Sequence, residues 1–275
     1  MAVGDPMADI PGQYVAANGL EVYYQEYGVG PPVIVLHGGT GTIFHWTALG
    51  AHFRVIAPNT RGHGRTANPT GVLSYQMLAD DVAALIDALG LDRPFVVGYS
   101  DGGNAALELG MRYPDIAQAL VIGAAWLRLT PAYVEEMQSL LGVAGDGEPD
   151  IDRVAQEHPD WVAYWQETHG ALGGPDYWQD LLRQVCRMWM TPHDYSEADF
   201  QRITAPTLVV IGDRDELIPV EDGVTLYRAI PGAELAVVPA GDHDFPLSRG
   251  RVYDAVVLDF LLRQGTDDVR SMPPS

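Results

Sequence analysis

The amino-acid sequence predicts an α/β protein with a mostly parallel central sheet flanked by helices. Three observations carry that expectation. Short continuous apolar runs alternate along the chain with segments of helical period. Several of those runs end in glycine-rich turns. No short-period repeat accompanies the alternation, which favours stacked layers over a solenoid. With 275 residues, 47% of them hydrophobic, the chain can build one large core or a core with a smaller insert.

The elements follow in order. Residues 14–28, YVAANGLEVYYQEYG, hold two short extended runs around Asn18-Gly19 and read as a leading hairpin. VIVLH at 33–37 and FRVIAP at 53–58 read as buried parallel strands that enter the turns HGGTG and NTRGHGRT. Residues 75–90 place Leu78, Val82, Leu85, Ile86 and Leu89 on one helical face and stop at Gly90. FVVGYS at 95–100 is a strand, the alanine- and leucine-rich segment from Asp101 a helix, and ALVIGAA at 119–125 a strand.

From about Leu127 to Arg202 the pattern changes to short amphipathic helices, YVEEMQSLL and YWQDLLRQVCRMW among them, with Trp161, Trp165, Trp178 and Trp189 interspersed. We expect residues 127–202 to form a helical cap inserted between two parts of a core, 14–126 and 203–264. The bland reading of any one of these tryptophans is packing of the insert. The core resumes with strand 207–212, a helix in VEDGVTLYRAI, strand 233–239 and a closing helix carrying Val252, Val256, Val257 and Phe260 on one face. The polar residues 265–275 are expected to be a flexible tail.

Charge and cysteine narrow the function. Lys plus Arg number 16 and Asp plus Glu 37, a net charge of -21 that disfavours nucleic acid and anionic membranes as partners and leaves a small molecule. The single cysteine, Cys186, excludes an internal disulfide and a cysteine-based multi-ligand metal site. The N-terminus lacks the pattern of a signal peptide and no run of 18 apolar residues occurs, so a cytoplasmic location is expected.

The sharpest local feature is Gly98-Tyr99-Ser100-Asp101-Gly102, a G-x-S-x-G turn between a strand and a helix. Small flanking residues let a serine occupy a strained, exposed position, and the following helix N-terminus aims amides at developing negative charge. With this motif, GDRDELIP and AGDHDFP in place, the chain from about residue 14 to 264 resembles the α/β-hydrolase fold family, in particular its serine carboxylesterases and lactonases with a helical cap. The resemblance implies Ser100 as nucleophile, Asp215 as triad acid and His243 as base, in that family's order. Asp213 lies in the same turn and competes with Asp215; the G-x-x-D-x-x-x-P arrangement favours Asp215. The strand before the cap ends in VIGAAW without an aspartate, which leaves the DRD turn as the source of the acid. The family's oxyanion hole implies the amides of Asp101 and of Gly39 in His37-Gly38-Gly39-Thr40-Gly41, with Thr40 the alternative donor and His37 a brace for the loop.

The expected reaction is acyl transfer to Ser100 and hydrolysis of a small or medium apolar carboxylic ester or lactone, with Thr40, Trp126, Trp161, Trp165 and Trp189 as candidate substrate-binding residues. No metal or organic cofactor is needed. C-C bond hydrolysis, cofactor-free perhydrolysis of the haloperoxidase type and proline iminopeptidase activity use similar machinery, although Thr40 stands where HGGPG relatives of the peptidases have proline. Dehalogenases and epoxide hydrolases are disfavoured because those relatives use an aspartate nucleophile. A noncatalytic small-ligand receptor is the alternative from another class.

Overall fold

The computed structural model describes residues 10–265; the N-terminal stretch up to residue 9 and, of the expected tail 265–275, all but Gly265 lie outside the described residues. β1 (Gly12–Ala17) and β2 (Leu20–Tyr27) form an antiparallel hairpin. Its turn residues Asn18 and Gly19 both have positive φ, 49° and 74°, the backbone sense that a tight two-residue hairpin requires and that Asn-Gly supplies. β3 (Pro32–Leu36), α1 (Thr47–Gly50), β4 (Arg54–Pro58), α2 (Tyr75–Ala88), β5 (Phe95–Tyr99), α3 (Asp101–Arg112) and β6 (Leu120–Gly123) follow.

The sheet has eight strands in the order β1-β2-β4-β3-β5-β6-β7-β8, with β7 at Thr207–Gly212 and β8 at Glu234–Val238. β1 and β2 join antiparallel to β4; all other neighbours are parallel. This is the layered α/β architecture the alternating pattern predicts. β4 lies on one side of β3 and β5 on the other, so the winding direction reverses between β3 and β5. A crevice forms outside the strand ends at such a reversal, where ligands bind in open α/β sheets. Leu36 pairs with Gly98 across that point, which brings the loop beginning at His37 beside the turn at Ser100.

The central strands are buried along nearly their whole length, as continuous apolar runs in a sheet covered on both faces should be. Helix α2 starts at Ser74, whose hydroxyl accepts the Met77 amide at 3.2 Å, and buries Leu78, Val82, Leu85 and Ile86. Helix α3 is buried from Asp101 to Met111. Its first turn lies so close to the sheet that a Cβ on Gly102 would strike the Leu36 carbonyl and one on Gly103 the Gly123 carbonyl, so only glycine fits. The buried pair Arg61–Asp81 at 2.6 Å, with the Asn18 amide also donating to Asp81 at 2.6 Å, ties the loop after β4 to α2 and to the hairpin turn.

Between β6 and β7 the chain is helical: α4 (Pro131–Leu141), α5 (Ile151–Glu157), α6 (Pro159–His169), α7 (Tyr177–Trp189) and α8 (Glu197–Phe200). Trp165 and Trp178 stack with ring centres 5.8 Å apart, and Met137 and Met188 are buried with them. The chain closes with α9 (Val220–Ala229), which packs on β7 and β8, then α10 (Phe245–Ser248) and α11 (Gly250–Gly265). No helix among the described residues is long and apolar enough to cross a membrane.

Candidate active site

Ser100 sits between the end of β5 and the start of α3 with φ 54° and ψ -119°, a conformation an L-residue adopts at appreciable cost. The neighbouring glycines make the turn sterically possible. A Cβ at Gly98 would collide with the Gly102 carbonyl, so the strand and the first helical turn approach only because Gly98 lacks one.

From the other side of the crevice, the loop after β8 brings His243 to Ser100, with Oγ and Nε2 3.0 Å apart. His243 Nδ1 lies 3.0 Å from each oxygen of Asp215 in the loop after β7. The Asp215 side chain is fully buried and also accepts the amides of Leu217 at 3.0 Å and Ile218 at 2.8 Å. An ionised carboxylate only accepts, so Nδ1 carries the proton and Nε2 offers its lone pair to the Ser100 hydroxyl. Asp213, the competitor, is exposed, and its amide bonds the Val238 carbonyl at 3.2 Å. Of the two aspartates, Asp215 is the one brought to the histidine.

Burial pulls the His243 pKa down, but the Asp215 hydrogen bond and charge, with the charges of Asp244 and Glu216, more than reverse this and leave it raised. The Glu216 carboxylate accepts the His243 backbone amide at 3.2 Å, and the Tyr99 hydroxyl donates to the His243 carbonyl. Histidine and serine are thus held from both flanks. Together they can pass a proton from Oγ to Nε2 while Asp215 stabilises the resulting imidazolium.

The Asp101 side chain accepts hydrogen bonds while its amide stays at the N-terminus of α3. Its buried carboxylate accepts the Tyr75 hydroxyl at 2.6 Å and Trp189 Nε1 at 2.8 Å, while Tyr75 in turn accepts Trp126 Nε1 at 2.9 Å. Burial raises the Asp101 pKa to about 6 against the pull of the Tyr75 and Trp189 hydrogen bonds and the His243 charge. The Gly39 backbone lies directly against this group: a Cβ there would be 2.5 Å from Asp101 Oδ2 and from Trp189 Cζ2.

The loop carrying Gly39 is pinned by histidines. His37 Nδ1 donates to the Gly38 carbonyl at 2.8 Å and Nε2 accepts the Thr60 amide at 3.1 Å, the bracing expected of it. Burial lowers its pKa to about 4. Thr40 has φ 52°, and its carbonyl accepts His169 Nε2–H at 2.9 Å. His169, at the end of α6, also accepts the Gly64 amide on Nδ1 at 2.7 Å, so one neutral tautomer satisfies both bonds. This link between the inserted helices and the loop has no signature in the sequence.

A cavity of about 610 Å³ opens over Ser100 and His243. Thr40, Trp126, Trp161, Trp165 and Trp189 all line it, joined by Tyr133, Glu136 and Met137 of α4. Trp126 and Trp165 are nearly covered by their neighbours, whereas Trp161 is 40% exposed. Cys186 is buried away from the cavity lining, and burial pushes its thiol up to about 12. Among the described residues no group of three or more His, Cys, Asp or Glu side chains is placed to hold a metal ion.

Comparison with known proteins gives a consistent picture. The model of a family described as the alpha/beta hydrolase family matches residues 33–256. A putative carbamate hydrolase, RutD, of Caulobacter sp. (strain K31) is 31% identical over 239 residues, covering 82% of this chain and 87% of that protein. A 2-hydroxy-6-oxo-2,4-heptadienoate hydrolase of Pseudomonas putida is 27% identical over 271 residues, covering 91% and 96%. Among solved structures, Est816, described as an N-acyl homoserine lactone degrading enzyme, superposes with a TM-score of 0.68 at 26% identity, covering 90% of this chain and 100% of that one.

Proposed function

The chain belongs to the alpha/beta hydrolase family, and from that premise we propose that it is a serine hydrolase acting on a small or medium apolar carboxylic ester or lactone. The observation that carries this reading is the continuous relay Ser100–His243–Asp215 beneath an aromatic-walled cavity. Ser100 Oγ attacks the carbonyl carbon as its proton moves to His243 Nε2. The amides of Asp101, at the N-terminus of α3, and of Gly39 receive the developing oxyanion. The Nε2 proton then passes to the leaving oxygen, giving the alcohol and an acyl-Ser100 ester. Water, losing a proton to the same nitrogen, attacks that ester and releases the acid. Asp215 keeps the ring oriented and its positive form stabilised throughout.

Residues 127–202 act in this reading as a cap whose helices α4, α6 and α7 close the cavity over the core. The volume suits an acyl group and alcohol of modest size, and the aromatic lining excludes water from the reacting centre. The lactone-degrading description of Est816 supports including lactones among the substrates. A nitrophenyl-ester assay comparing the wild type with Ser100→Ala tests the proposal. Turnover in the wild type and its loss in the variant are expected; wild-type-like turnover in the variant rejects Ser100 as nucleophile.

A further inference from the structure

We propose that the cavity discriminates by charge, turning over esters that lack a carboxylate and rejecting otherwise matched esters that carry one. This rests on the ester-hydrolase reading of Ser100 and adds a substrate class to it. Four of the side chains lining the cavity are carboxylates, Asp101, Glu136, Glu216 and Asp244; among the described residues no arginine lines it, and its only side-chain bases are the imidazoles of His37, whose pKa burial lowers to about 4, and of the His243 relay. The chain contains no lysine at all; its 16 basic residues are arginines.

The acidic groups come from separate parts of the cavity lining. Asp101 is buried beside Ser100, Glu136 is half-buried on the α4 wall, and Glu216 and Asp244 are exposed on either side of His243. Meanwhile, the arginines between residues 128 and 187 are engaged elsewhere. Arg187 and Arg183 pair with Glu148, Arg153 pairs with Glu157, and Arg128 reaches Asp222 at 3.5 Å. None of these arginines lines the cavity.

A substrate carboxylate entering this space would leave water without gaining an arginine partner, and would meet like charges in a poorly screened interior. The two exposed carboxylates are partly screened at physiological ionic strength, with a Debye length of about 8 Å, so most of the discrimination falls to Glu136 and Asp101. Asp101 is already satisfied by Tyr75 and Trp189, which makes Glu136 the specificity-determining residue open to test.

The experiment compares kcat/KM for 4-nitrophenyl hexanoate and the 4-nitrophenyl monoester of adipic acid, which share chain length and leaving group and differ by a terminal carboxylate. We expect the hexanoate to be favoured by about a hundredfold, on the order expected for like charges several ångströms apart in a protein interior. Glu136→Gln should narrow that ratio by threefold or more. Equal kcat/KM for the two esters, with Ser100→Ala inactive on both, overturns the charge selection and leaves the hydrolase reading standing. A ratio unchanged in Glu136→Gln overturns the assignment to Glu136. Absence of Ser100-dependent turnover of either ester removes the hydrolase reading and this inference with it.

Discussion

Replacing Gly39 by alanine tests the proposed oxyanion loop at its tightest point. The added methyl would lie 2.5 Å from Asp101 Oδ2 and Trp189 Cζ2, whereas ordinary contact begins at 3.4 Å, so 3.4 - 2.5 = 0.9 Å of separation must be found. Neither neighbour is a free side-chain end. Asp101 is held by the Tyr75 hydroxyl at 2.6 Å, and Trp189 is itself bonded to Asp101 at 2.8 Å. The loop therefore moves away from Ser100 and takes the Gly39 amide with it. Misplacement by about 1 Å costs roughly a hundredfold, and removal of one oxyanion donor lowers kcat by about 10² to 10³, or about 2.7–4 kcal/mol. The effect should fall on kcat with KM little changed, because the amide acts on charge present only in the transition state. Overpacking should also destabilise the fold by about 1–3 kcal/mol. Steady-state kinetics on a nitrophenyl ester, paired with urea unfolding, measures both. Gly145→Ala is the control, since nothing lies within 4 Å of a Cβ there. A folded Gly39→Ala enzyme with kcat within threefold of wild type refutes the placement of the oxyanion site.

Three further predictions concern the groups around that loop. Asp215→Asn should lower kcat by about 10⁴, as expected when the base loses its orienting carboxylate, while Asp213→Asn stays within twofold; the reverse order would move the acid to Asp213. Because the His243 pKa is raised and the base must be neutral, kcat/KM should fall as pH drops through a pKa above 6.5, and Glu216→Gln should lower that pKa by removing a charge that favours the imidazolium. A pH–rate profile with its acid limb unmoved in Glu216→Gln would contradict this. His169→Phe removes the acceptor of the buried Gly64 amide and the donor to Thr40, and should cost about 2–4 kcal/mol in urea unfolding, with part recovered in His169→Gln. An unchanged unfolding midpoint would show that the link carries no stability.

Some of this was legible in the sequence because it is local. Strand–turn–helix at Ser100 is written in consecutive residues, since glycines must flank a serine with positive φ, and the Asn18-Gly19 turn is equally self-contained. Strand runs such as 207–212 are visible because strands covered on both faces must be apolar throughout. Other features depend on residues far apart in the chain. The placement of β4 between β2 and β3 creates the crevice, but it follows from pairings between distant segments that no local pattern encodes. The sequence lets Asp101 supply an amide and accept a hydrogen bond on its side chain, but the partners Tyr75 and Trp189, 26 and 88 positions away, had no signal. His169 and Glu136 belong to none of the motifs that the sequence offers. Their roles appear only when α6 and α4 are laid against the core.

In the proposed mechanism His243 and Asp215 activate Ser100 as a nucleophile. Treatment with a fluorophosphonate, which reacts with an activated serine, followed by peptide-mapping mass spectrometry, tests that activation. A single adduct is expected on the peptide containing Ser100, absent in Ser100→Ala. No adduct in the wild type, or one that persists in Ser100→Ala, would contradict it.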